Sequence, residues 1–474
     1  MKKALSVIIA AAVLLCLAAC TAGIGHGKKL DQSITRVYTP GTRESLIVKN
    51  GVLIDGSVTG KLYFTTSADG SGALGRVDNV LYFIDDNGSV LLSSGASEAE
   101  ISLDGKLALY YADGTIHMYS REKRADEVVD TGITSVCQFA LSPHSECVMF
   151  TAVYEDSPET YRTKLYKNGE LTTVIEESGT IVLAVSDDAC RYWCSDMSGS
   201  LTVYDGGRMK TVSSELDASS NCNFTIGLDE VTFTTGDDTQ YYYRLADDRL
   251  IKLGTGFGYT LKTDIFSISE ISRYCYVNDI DTFSNGLFIF ERTVSDGAVY
   301  SVGRIGRDGN FTMLLENAFK YFVASDASKV FWLGPDGLFE TAARSGKTKL
   351  VAKDVLDFGV TSDSLTVYYL TGSGTLYKKA GASAKKLDSD VTQLAVFREG
   401  CAYIKDAPSE KDALYTTDGG DPVKITDFAE IIDEFRGQLI LYSDPAYDGD
   451  RMLYKAWVST DGLSFKKIAD GAEP

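Results

Sequence analysis

From about Ser57 to its C-terminus the chain repeats one phrase about every 36 to 45 residues. The phrase is an apolar run ending in Ser or Asp, a tight turn, an alternating aromatic run, then Leu-Tyr or an equivalent pair shortly before an Asn, Asp or Gly turn. Clear copies are Ile101-Ser-Leu-Asp-Gly-Lys-Leu-Ala-Leu-Tyr110 with Thr115-Ile-His-Met-Tyr119, and Leu183-Ala-Val-Ser186 with Arg191-Tyr-Trp193 and Leu201-Thr-Val-Tyr204. Others are Phe322-Val-Ala-Ser325 with Val330-Phe-Trp332, and Phe358-Gly-Val-Thr361 with Val367-Tyr-Tyr369 and Thr375-Leu-Tyr377. About ten such units follow one another. Each holds four short alternating stretches separated by turn signals, which predicts one four-stranded antiparallel sheet. A lone sheet of that size cannot cover its own faces. Stacking such sheets around an axis buries them and leaves only short edges, the β-propeller solution, whose period of about 40 to 45 residues per blade matches. The expected fold is therefore all-β, a propeller of about eight to ten units in one large ring or two rings. The rhythm is most ragged at 57–95 and 257–318, which places a possible boundary between rings near Phe257. The run Ile34 to Leu53 is also strand-like and is expected to latch the ring by pairing with the C-terminal blade.

Composition agrees with short strands and tight turns. With 44 Gly, 8 Pro and 27 Tyr in 474 residues, the chain lacks the Ala, Leu, Glu and Lys bias of a helical bundle. Its 44% hydrophobic content rules out disorder as the main state. The formal charge of -20 argues against a nucleic-acid partner, because a surface of this sign repels phosphate.

The N-terminus reads as an export signal. Lys2 and Lys3 precede an apolar run from Ala4 to Ala19 that is too short for a comfortable membrane span. It ends in Leu17-Ala18-Ala19-Cys20, which resembles the bacterial lipobox. That resemblance implies cleavage before Cys20, whose thiol would carry a diacylglyceryl group, and an extracytoplasmic protein anchored to the cell membrane through lipid. Each buried methylene contributes roughly 0.8 kcal/mol, so two or three chains anchor firmly. Loss of Lys2 and Lys3 with the signal leaves 44 basic against 66 acidic side chains, a charge of -22, so electrostatics cannot hold this body to an anionic surface. The resulting organisation is a signal peptide at 1–19, a flexible tether at 20–32 and propeller repeats at 33–474.

The Ser-x-Asp-Gly-Lys-Leu-x-Leu-Tyr phrase around Asp104 and Gly105, with the later Leu165-Tyr-Lys-Asn-Gly169, resembles the degenerate repeats of TolB-type and tricorn-type propellers. The Trp-Asp dipeptide of WD40 repeats is absent, and three Trp are too few for a pyrroloquinoline-quinone-type propeller. Ser459-Thr-Asp-Gly-Leu-Ser-Phe465 resembles the Asp-box turn of sialidase-like propellers, with a partial echo at Thr416-Thr-Asp-Gly-Gly420.

Assembled chemistry is hard to find in the sequence. Beyond Cys16 and Cys20 remain Cys137, Cys147, Cys190, Cys194, Cys222, Cys275 and Cys401. Cys190 and Cys194 would lie about 13 Å apart along a strand, whereas a disulfide keeps its Cα atoms within about 7 Å. Cys137 and Cys222 occupy the same register of two repeats, which suggests packing positions, and no CxxC or nearby His offers a zinc set. The three His are His26, His117 and His144, and none sits at triad spacing from a nucleophile and an acid. The pairs Asp85-Asp86, Asp187-Asp188, Asp237-Asp238 and Asp247-Asp248, and Asp279 with Asp281, fall at expected turns, where Asp bonds its own backbone. The segments Asn278 to Gly286 and Asp444 to Asp450 do not match the twelve-residue calcium loop. The aromatic runs Tyr241-Tyr-Tyr243 and Tyr368-Tyr369 read as blade core. No catalytic, cofactor or metal residue is assigned, and lipidation at Cys20 is the one expected site. The expected role is non-catalytic binding of a protein, peptide or glycan as a scaffold at the cell envelope. The alternative is a carbohydrate-active hydrolase or lyase using carboxylates at the ring mouth.

Overall fold

The computed structural model describes residues 34–473 apart from short internal stretches, the longest at 260–273 and 278–286. The signal (1–19), the tether (20–32) with Cys20, the proposed boundary at Phe257, and Asp279 and Asp281 lie outside the described residues. The chain is all-β, and its strands form eleven sheets among the described residues, nine of them four-stranded and antiparallel. In chain order they are sheet 1 (34–59), sheet 2 (63–93), sheet 3 (96–131), sheet 4 (133–176), sheet 5 (180–213), sheet 6 (222–255 with 274–277), sheet 7 (258–259 with 287–318), sheet 8 (320–352), sheet 9 (355–388), sheet 10 (391–426) and sheet 11 (431–472). The ten repeats read from Ser57 onward correspond to sheets 2 to 11. Sheet 1 has three strands, and sheet 6 gains a fifth by parallel pairing of Cys222–Thr225 with Tyr274–Val277.

Alternation buries side chains on both faces of a sheet, so successive sheets pack face to face. Apolar cores join sheet 1 to 2, 2 to 3, 3 to 4, 4 to 5 and 5 to 6. Further cores join 7 to 8, 8 to 9, 9 to 10 and 10 to 11. The last core returns to the beginning: Val37 of sheet 1 lies with Ile440, Tyr454 and Ala472 of sheet 11. There the Glu473 amide donates to the Tyr38 carbonyl at 2.9 Å. The latch expected of the N-terminal segment is present in altered form. Sheet 11 already owns four strands, so the segment folds into a sheet of its own and touches the C-terminus through one bridge.

The phrase "apolar run ending in Ser, then a turn" has a direct structural meaning. Ser102, Ser142, Ser186 and Thr361 end the first strands of their sheets, and each hydroxyl accepts the backbone N–H five residues on, at 3.0, 3.0, 3.0 and 3.1 Å. Ser67 does the same for Gly72 at 3.0 Å. These side chains hold the turn from first to second strand. The turns also touch in series. Ser71 Oγ donates to the Asp104 carbonyl at 3.1 Å, Ser145 Oγ donates to Asp104 Oδ1, and the His144 amide donates to Asp187 at 2.9 Å. The three Trp lie within strands and each indole N–H donates inside the fold: Trp193 to the Leu228 carbonyl, Trp332 to Thr341 and Trp457 to Ser443.

Candidate functional site

Sheets 3, 4 and 5, and again sheets 9, 10 and 11, approach one another most closely at their first strands, whereas fourth strands such as Arg208–Ser213, Thr348–Ala352 and Ser383–Asp388 are largely exposed. The first strands therefore line the inner side of the circuit. Four of them carry a β-bulge near their start, leaving Ser97, Thr134, Leu356 and Thr392 without a ladder partner, and a second bulge does the same for Cys137. A bulge re-aims a side chain out of the pleat, and all five of these residues are exposed. Tyr63 of sheet 2, Leu356 of sheet 9 and Phe319, which directly precedes sheet 8 and donates its amide to Leu333 of that sheet, add apolar surface to this wall at 58%, 63% and 53% exposure.

The first strand of sheet 3, Ala96–Ile101, brings two carboxylates to the same wall. Glu98 pairs with Tyr111 and Glu100 with Leu109, so both lie on the face toward sheet 4, where the Tyr111 hydroxyl donates to the carbonyls of Ile133 and Thr134 at 3.0 Å. Two residues along a strand separate their Cα atoms by about 7 Å. Glu100 is half-buried with no hydrogen-bond partner among the described residues, and burial pushes its carboxyl up to about 8. Glu98 remains exposed.

A second feature lies between sheets 2 and 3. Asp126 Oδ2 accepts from the Tyr110 hydroxyl and faces His117 Nδ1, each at 2.9 Å, while the Tyr110 and His117 rings stack with centroids 4.9 Å apart. Burial and then the bond to Asp126 push the Tyr110 hydroxyl up, so it stays protonated. This grip recurs elsewhere with lysine as second donor. Asp130 accepts from Tyr154 and Lys164 at 2.6 and 2.7 Å, tying sheet 3 to sheet 4. Asp388 accepts from Tyr403 and Lys405 at 2.8 and 2.6 Å, tying sheet 9 to sheet 10. Tyr–carboxylate grips are thus a structural device of the fold, and the sheet 3 copy opens onto a depression of about 450 Å³.

The residues singled out in the sequence are dispersed. Asp188 and Asp237 bond Ser186 and Thr235 within their turns, Asp247 pairs with Arg244, and Asp86 pairs with the buried Lys49 at 2.6 Å. His144 Nδ1 lies 2.7 Å from Asp187 Oδ2 at the seam of two turns. Asp444 pairs with Lys455 at 3.0 Å. Tyr242, Tyr243, Tyr368 and Tyr369 are buried. Cys147, Cys194, Cys222 and Cys401 are buried free thiols, but Cys137 and Cys190 are exposed. The shared register of Cys137 and Cys222 did not make both packing positions, because the bulge at Cys137 turns its side chain out. Among the described residues, no three His, Cys, Asp or Glu side chains converge as a metal set. Sequence reasoning missed Glu98, Glu100 and the Tyr110–His117–Asp126 group. An alternating acid pair in the strand Ala96–Ile101 was the one available signal.

No protein-family model and no curated protein matches the sequence. Among solved structures, the chain is similar to an oligogalacturonate lyase in complex with manganese, at 10% identity over 72% of this chain and 93% of that one, with a TM-score of 0.31. It is also similar to the tricorn protease, at 11% identity over 93% of this chain and 58% of that one, with a TM-score of 0.32. A third likeness is to U3-55K, at 12% identity over 59% and 89%, with a TM-score of 0.36.

Proposed function

We propose that this chain is a lipid-anchored, extracytoplasmic β-propeller that binds a protein, peptide or envelope polymer on the inner wall of its ring of sheets, without catalysis. The observation that carries the reading is the set of exposed apolar side chains on that wall, Tyr63, Phe319 and Leu356, presented from sheet 2, the residue before sheet 8, and sheet 9. Apolar surface held open by a rigid scaffold is the usual mark of a recognition surface. The lipobox ending at Cys20 supports the location, since the acidic body has no electrostatic hold on a membrane.

The test is cross-linking capture from intact envelopes, comparing the wild type with the triple variant Tyr63→Ala, Phe319→Ala and Leu356→Ala. Stoichiometric capture by the wild type, reduced at least about tenfold in the variant, is the expected result. Equal capture by both would remove the inner wall from the reading. Metabolic labelling with a palmitate analogue should mark the wild type and leave Cys20→Ser unmarked.

A second reading is supported by Glu98 and Glu100. Glycoside-cleaving sites use two carboxyl groups at fixed separation whose environments push their proton affinities apart, and this pair has one half-buried, raised carboxyl beside an exposed one. Turnover of an envelope or plant polysaccharide that disappears in Glu100→Gln would favour a carbohydrate-active enzyme over a scaffold.

A further inference from the structure

The structure assigns a second binding site, separate from the inner wall: the depression between sheets 2 and 3 takes an organic cation, a guanidinium or primary ammonium group. This inference does not depend on the proposed function. Its lining includes Tyr110, Asp113, Thr115, His117, Asp126 and Ser94, and contains no Lys or Arg. Tyr110 spends its proton on Asp126, and Asp126 Oδ2 is occupied by both neighbours. A carboxylate only accepts, so His117 donates to it from Nδ1, and Asp126 Oδ1 keeps its acceptor capacity. The Asp113 carboxylate, at the turn opening the depression, has no hydrogen bond or ion pair among the described residues.

The site is therefore rich in unspent acceptors and negative in charge, and it has a stacked aromatic pair in its wall. A neutral polyol gains little from such a set, and an anion is repelled. A guanidinium supplies up to five donors, pairs with carboxylate in a fork, and stacks on aromatic faces. The same grip carries a permanent lysine at Asp130 and Asp388. At Asp126 a histidine stands in that place, and no lysine or arginine lines the depression.

The charged groups around the depression are Asp126 on the fourth strand of sheet 3 and Asp113 at the turn between the second and third. The sheet 2 side contributes neutral residues, Leu91 to Ser94.

The experiment is a 15N NMR titration of the histidine side chains, of which the chain has three, with Nα-acetyl-arginine methylamide. Its neutral citrulline counterpart is the control, and putrescine distinguishes a free polyamine from a basic peptide side chain. Expected is a saturable shift at His117 with His144 unmoved, and no shift with citrulline. Asp113→Asn should weaken binding by about tenfold, the size of one charge-assisted hydrogen bond. Asn and Gly both accept the positive φ of 50° at this turn, so Asp113→Asn and Asp113→Gly should both fold. Citrulline binding as well as arginine, unchanged affinity in both Asp113 variants, or no shift at His117 would each overturn the assignment.

Discussion

Folding holds the Glu100 carboxyl in its protonated form in the wall of the ring. Its proton affinity in the folded state is raised from 4.5 to about 8, so folding opposes its ionisation. The penalty is absent below about pH 4.5, where both states are protonated, and grows as pH rises until the folded carboxyl also ionises near 8. Glu100→Gln should therefore stabilise the protein by on the order of 3 kcal/mol at pH 7 and by far less at pH 4, measured by urea unfolding at both values. A gain of equal size at the two pH values would show that the charge is not responsible. At this scale the sequence was partly legible. The Asp-rich turns could be read because Asp bonds its own backbone locally. The depression could not, because Asp113, His117 and Asp126 acquire their roles from strand register and from the neighbouring sheet, neither of which has a local signature.

Each repeated element begins with a strand capped by a hydroxyl. Ser142 is fully buried and accepts two backbone N–H groups, from Glu146 at 2.9 Å and Cys147 at 3.0 Å. Ser142→Ala leaves both without this acceptor and should cost about 1 to 3 kcal/mol in denaturant unfolding. Gly105, in the equivalent turn of sheet 3, has a φ of 62°, and a Cβ there would lie 2.5 Å from Ser71 Oγ and 3.0 Å from the Gly72 amide nitrogen. Gly105→Ala should cost at least about 2 kcal/mol, because it strains the turn and pushes apart the contact between sheets 2 and 3. Strands and their turns were legible at this scale, since alternation and turn residues are local properties. The bulges were not. One extra residue leaves the alternation looking merely ragged, yet it decides that Cys137 and Leu356 are exposed to solvent.

At the scale of the whole molecule, the stacking of repeats followed from the period alone, whereas the manner of closure did not. Deleting 33–56 removes sheet 1 and uncovers the faces it shares with sheets 2 and 11. Thermal unfolding of that deletion should begin several degrees lower and broaden, and an unchanged transition would mean that closure contributes no stability. The seam also sets the order of events in time. Val37 meets Ala472, so the earliest part of the fold waits for nearly the last residue before its outer face is covered. Such long sequence separation slows assembly and leaves an unfinished edge available to other chains. A chain released only a few residues short would have every other sheet in place and still present an unguarded entrance to aggregation.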